Sequence, residues 1–116
     1  MPNVCQVSLK GNCPIILDNL ENFNKFYKEN YFYIICPNKD KKFFKKKIKK
    51  KNVKIINENS LISFRKFRGI SNKYFKKTKY HKVIQGRLSW YYQQILKISF
   101  VIDFVEKNKK NITIWD

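Results

Sequence analysis

Six apolar residues in succession, Tyr31-Phe32-Tyr33-Ile34-Ile35-Cys36, stop abruptly at Pro37-Asn38. A run of this length without polar alternation reads as a strand buried on both faces, as a central strand of a parallel sheet would be. The chain is thereby confined to architectures that lay helices over a sheet. The flanking segments keep to that restriction. Val4 to Leu9 is a short alternating run closed by Lys10-Gly11-Asn12, which predicts a strand and its turn. Pro14 to Tyr27 carries Ile16, Leu17, Leu20, Phe23, Phe26 and Tyr27 at spacings of three and four, one apolar stripe on a helix that opens with proline. Lys39 to Lys51 sets Phe43, Phe44 and Ile48 among lysines, a short amphipathic helix, and Val53 to Ile56 follows as a third strand. Strand, helix, strand, helix, strand at this rhythm predicts an α/β fold with a doubly wound, mostly parallel sheet.

The second half is less even. Residues 57–87 predict a loop with one or two short helices. From Trp90 to Lys107 a helical pattern returns, with Tyr91, Ile95, Ile98, Ile102 and Val105 as its expected buried stripe, widened by Leu96, Phe100 and Phe104. Ser89 is the expected N-cap. Ile112 to Asp116 reads as a final strand. Its apolar side chains need covering layers, so 1–116 is expected to be the first part of one larger domain, an incomplete sheet.

Charge is the loudest number in the composition, and composition itself discounts it. The formal net charge is +18, yet only three of the 26 basic residues are arginine. Surfaces that read nucleic acid use arginine's planar fork to grip phosphates and guanine edges. A lysine excess beside abundant Asn, Ile, Phe and Tyr is what an AT-rich coding sequence imposes on an ordinary solvated surface. Two lysine clusters, 39–54 and 65–82, remain a basis for a second reading as a small basic nucleic-acid-binding protein, with interleaved aromatics to stack bases. A non-catalytic structural module is a third. Cys5, Cys13 and Cys36 lack CxxC spacing and His81 is the only histidine, which argues against a zinc site and for reduced thiols in the cytoplasm. The oily stretch Ile95 to Val105 is interrupted by Lys97 and Asp103 and falls far short of a membrane span.

In an open parallel sheet, ligands bind beyond the carboxyl ends of the strands. Those ends are Leu9-Lys10-Gly11, Cys36 to Asp40, Ile56-Asn57-Glu58 and Trp115-Asp116, and Asp116 is a carboxylate suited to holding a divalent ion against a diphosphate. Gln93, Gln94 and Lys97 are polar residues in the first turns of an oily helix, and three- and four-residue spacing makes Lys97 a neighbour of both amides.

The string Ser89-Trp90-Tyr91-Tyr92-Gln93-Gln94-Ile95-Leu96-Lys97, followed by the strand Ile112-Thr113-Ile114-Trp115-Asp116, resembles bacterial glycosyltransferase-like proteins of the GT-A type. In those families an aromatic-Gln-Gln-x-x-Lys helix precedes a strand that ends in Asp-x-Asp. Gln6-Val7-Ser8-Leu9-Lys10 and Tyr33-Ile34-Ile35-Cys36-Pro37 are similar to the first two strands. The resemblance implies a Rossmann-like GT-A sheet, a nucleotide-sugar donor, a manganese or magnesium ion, and transfer of a sugar to a glycan or lipid-linked acceptor of the cell envelope. It implies that Asp116 contacts the metal, that Lys97 and Gln94 line the donor pocket, and that Lys10 and Asp40 approach the nucleotide. The second Asp of the motif, a catalytic base and the acceptor-binding half are absent from the sequence. A cytoplasmic protein is expected, with the basic middle segment able to rest on an anionic membrane at its inner face.

Overall fold

The computed structural model describes residues 3–7, 11, 13–27 and 30–115. Its elements run β1 (Asn3–Val7), α1 (Cys13–Phe26), β2 (Phe32–Cys36), α2 (Asn38–Lys47), β3 (Val53–Asn57), a 3-10 turn (Glu58–Ser60), α3 (Phe64–Phe75), α4 (His81–Gly86), α5 (Leu88–Asn108) and β4 (Ile112–Ile114). The four strands form one sheet in the order β3-β2-β1-β4, and every pairing is parallel. Val4 pairs with Phe32 and with Thr113, which sets β1 at the middle of the register.

Burial follows position in the sheet. The central strands β1 and β2 are almost wholly buried, whereas β3 and β4 at the edges are only half covered or exposed. This is why β2 is a continuous apolar run: successive side chains point to opposite faces, and both faces are covered. On one face Val4, Phe32, Ile34 and Cys36 meet Cys13, Ile16, Leu20 and Phe23 of α1, with Phe44 and Ile48 from α2 and its end. On the other, Cys5 and Ile35 meet Tyr92, Leu96, Phe100 and Phe104 of α5. All three cysteines are buried as free thiols.

Helix ends follow local chemistry. The Ser63 hydroxyl accepts from the Lys66 amide at 3.1 Å and starts α3. Asp40 in the first turn of α2 and Lys45 to Lys47 in its last both complement the helix dipole. The helix stops at Lys47, four residues before the sequence-based boundary, because Ile48 turns extended and buries its side chain under β2.

Two expectations for the long helix are corrected. Ser89 does not cap it: α5 begins at Leu88, directly after α4, with Arg87 at the cap position and no side-chain cap bond. The expected buried stripe is turned outward. Ile95, Ile98, Ile102 and Val105 are all exposed, and the buried stripe is Leu88, Tyr92, Leu96, Phe100 and Phe104. Both stripes are apolar, so periodicity alone could not choose between them. The face carrying the bulkier rings won, since Tyr33 packs against Phe100 and Phe104 at ring separations of 5.2 and 5.4 Å. Residues 57–87, expected as loop and short helix, hold the 3-10 turn, α3 and α4. Among the described residues no helix is long and apolar enough to cross a membrane.

Candidate functional site

The helices on the two sides of β1 lie on opposite faces of the parallel sheet. The chain leaves β1 through α1, which lies on one face, and reaches β4 from α5, which lies on the other. In open parallel sheets the carboxyl ends of strands whose neighbouring connections lie on opposite faces are where ligands bind.

Polar groups flank β1 on both faces near that end. Gln6 is buried toward α1, and its side-chain oxygen accepts from the Asn19 amide at 3.0 Å. On the opposite face Lys97 is only 6% exposed. Its charge is felt by Cys5: burial pushes that thiol up to about 12, and the lysine partly opposes the rise. Trp115, just past β4, donates its backbone amide to the Cys5 carbonyl at 2.9 Å and packs its ring against Phe23 and Phe32 on the α1 side.

A second polar group lies at the carboxyl ends of β2 and β3. Asn57 organises it, accepting from the Asn59 amide through its side chain and donating to Asn38 at the start of α2. This fixes Glu58 near Asp40, which is buried in the first turn of α2. The Tyr92 hydroxyl reaches over from α5 and donates to the Ile62 carbonyl at 2.6 Å, with the Glu58 carboxylate also within its range. Burial, then the negative charge of Glu58, pushes the Tyr92 phenol up to about 12. Burial followed by the charges of Asp40 and Glu58 pushes the Cys36 thiol up to about 11.

Burial and the charge of Asp40 also hold the Glu58 carboxyl above its ordinary range, against the opposing pull of Lys39 and Tyr92. A carboxyl raised in this way binds its proton more tightly in the folded protein than in the unfolded chain. Its contribution to stability is complete below the unfolded value, near pH ~4, and is lost as the pH rises through the folded value. Glu58→Gln is therefore expected to raise the melting temperature at neutral pH, with the gain vanishing toward pH ~4. Melting curves of both proteins across that range check it; a gain that persists at the acid end contradicts the assignment.

The candidates named from sequence are distributed unequally over these groups. Lys97 sits beside β1, and Asp40 belongs with Glu58 at the β2–β3 end. Gln94 lines a groove between α3 and α5 with Phe67, Phe75 and Ile84, so it faces outward while Lys97 is tucked against the sheet. Its neighbour Gln93 lines a separate cavity of about 550 Å³ with Arg87 and Ser89. Lys10 and Asp116 lie outside the described residues. Sequence reasoning missed Gln6 and Tyr92 as polar participants and placed Glu58 at a strand end without assigning it a role. Glu58 directly follows a strand, which is a usable signal. The roles of Gln6 and Tyr92 depend on partners 13 and 30 residues away.

The family described as a family of unknown function, DUF6492, matches residues 6–107. The chain belongs to the DUF6492 family. The matched segment runs from Gln6 to the last turn of α5, so it includes the end of β1, the Glu58 turn and Lys97. No curated protein and no solved structure matches this DUF6492 chain. Among its described residues no group of three or more His, Cys, Asp or Glu could hold a metal ion.

Proposed function

We propose that this DUF6492 chain is the donor-binding half of a GT-A-type glycosyltransferase, which passes a sugar from a nucleotide-sugar to a glycan or lipid-linked acceptor of the cell envelope. One observation carries the reading: a parallel sheet whose connections lie on opposite faces on either side of β1, with the Lys97 cation beside that strand. A doubly wound sheet takes nucleotides at its switch point. The cation suits the diphosphate, and charge appearing on the departing diphosphate is what a fixed ammonium stabilises.

The roles divide by position. Lys97 meets the diphosphate from the α5 side, and Gln6, held by Asn19, offers its amide from the α1 side. Asp116 would be the protein's ligand to a manganese or magnesium ion. With so few carboxylates at hand, the remaining ligands would be diphosphate oxygens and water, an arrangement common for magnesium. When bound, such an ion neutralises phosphate charge. Gln94, on the outward groove, has no part in this version of the site, and Asp40 acts through the packing of the β2–β3 end. Lys10, three residues after the end of β1 in the chain, is assigned to the nucleotide.

Thermal denaturation with nucleoside diphosphates tests the reading. Uridine or guanosine diphosphate with manganese, at about one hundred times its dissociation constant, is expected to stabilise the protein by about 2.7 kcal/mol. For a chain of this size that is a rise of roughly 10 °C in melting temperature. No shift with any nucleoside diphosphate, with or without manganese, sinks the proposal.

A further inference from the structure

Residues 68–87 contribute to neither core cluster, and this part of the molecule presents an unusual surface. Between Glu58 and Asp103 the chain has no acidic residue, while nine cations fall between Arg65 and Arg87, every one of them exposed. Large apolar side chains stand among them: Tyr74 is 64% exposed, Val83 60% and Trp90 54%. Ile70, Phe75, Ile84, Trp90 and Ile95 border one open groove of about 560 Å³ between α3 and α5. On α3, Ile70 is flanked at one-turn spacing by Lys66 and Lys73. The Lys73 and Lys79 ammonium groups lie over the Tyr74 and Tyr80 rings at 5.5 and 5.2 Å.

We propose that the face made by α3, the Lys76–Tyr80 connection, α4 and the start of α5 seats on an anionic lipid bilayer. Apolar side chains ringed by Lys and Arg match the boundary between headgroups and acyl chains, where lysine stems run along apolar surface and keep their charge in the headgroup layer. Charge complementarity selects this occupant. An acid-free segment with nine exposed cations attracts the negative leaflet, and the same charge repels a second copy of a chain carrying +18. Nucleic acid would use the cations and the rings but gives no place to Ile70, Val83, Ile84 and Ile95, which cannot stack bases. The inference does not depend on the donor-site reading. The connection to that site is geometric: α5 bears Trp90 on this face and Lys97 against the sheet.

Sedimentation with vesicles of phosphatidylcholine, with and without phosphatidylglycerol, tests it. Binding is expected only to the vesicles with phosphatidylglycerol, and it should be abolished at roughly 0.5 M salt by screening. A Lys73→Gln, Lys76→Gln, Lys77→Gln triple variant removes only exposed charge and is expected to weaken that binding about one-hundredfold. Trp90 emission, isolated by comparison with Trp90→Phe, should shift to the blue on binding. Equal binding to neutral vesicles overturns the proposal. So does an unmoved Trp90 emission on bound protein, or binding to single-stranded nucleic acid with none to anionic vesicles.

Discussion

Phe23→Ala is expected to cost about 3–5 kcal/mol of folding stability, the range for deleting a buried phenylalanine ring. Phe23 is fully buried, and its ring touches those of Tyr27, Phe32 and Trp115 at centroid separations of 5.6, 5.4 and 6.2 Å. One side chain thus ties α1 to β2 and to the residue after β4. Against a typical total of about 5–15 kcal/mol, the loss removes a large share of what holds the sheet to its helix. Phe26, three residues on in the same helix, is 69% exposed and serves as the control. Phe26→Ala deletes the same ring from water-facing surface and is expected to cost within about 0.5 kcal/mol. Urea unfolding of the two variants measures the difference; equal midpoints would mean that α1 does not bury the face described here.

The second large effect concerns binding. Lys97→Met keeps an unbranched side chain of similar length among Leu96, Cys5 and their neighbours but removes the ammonium. If the ammonium contacts the donor diphosphate, the loss of a charge-assisted hydrogen bond is worth about 1.5–3 kcal/mol, or about 10- to 150-fold in affinity for a nucleoside diphosphate. Lys97→Arg keeps the charge and should retain part of the affinity. Circular dichroism and urea unfolding establish the folded fraction, and isothermal titration of that fraction gives the affinity. A purely structural lysine would change the unfolding midpoint and leave the affinity of folded protein untouched. That outcome removes Lys97 from the site.

How far the sequence could lead is clearest in α1 and α5. In α1 most apolar positions share one side, so Ile16, Leu20 and Phe23 were legible as core, whereas Phe26, expected on the same stripe, and Ile15 face outward. In α5 apolar residues surround the axis, and the choice of face was settled by β2. Tyr33 and Ile35 on one side of that strand require a partner surface, and Phe100 and Phe104 fill it. The parallel order of the first three strands was legible because β-branched and apolar runs alternate with helices short enough to cross back. The position of β4 was not, since nothing local in Ile112-Thr113-Ile114 says that it lies beside β1 instead of β3. For the same reason the site was read only in part. Lys97 could be named as an unusual cation on an oily helix, but whether Gln93 or Gln94 shares its side depends on which face of α5 meets the sheet. The hydrogen bond from Asn19 to Gln6 and the approach of Tyr92 to Ile62 are products of tertiary packing, with no local sequence signature.

Paramagnetic mapping by nuclear magnetic resonance examines the proposed donor site directly. Manganese added with a nucleoside diphosphate broadens amide signals near the bound ion and leaves distant ones sharp. Broadening is expected at the carboxyl ends of β1 and β4, in Val7, Ile114 and Trp115, and around Lys97, with Asn3, Tyr31 and Asn111 at the opposite edge of the sheet unaffected. Broadening centred on that opposite edge, or uniform weak broadening with no focus, would show that no donor binds at the carboxyl ends of β1 and β4.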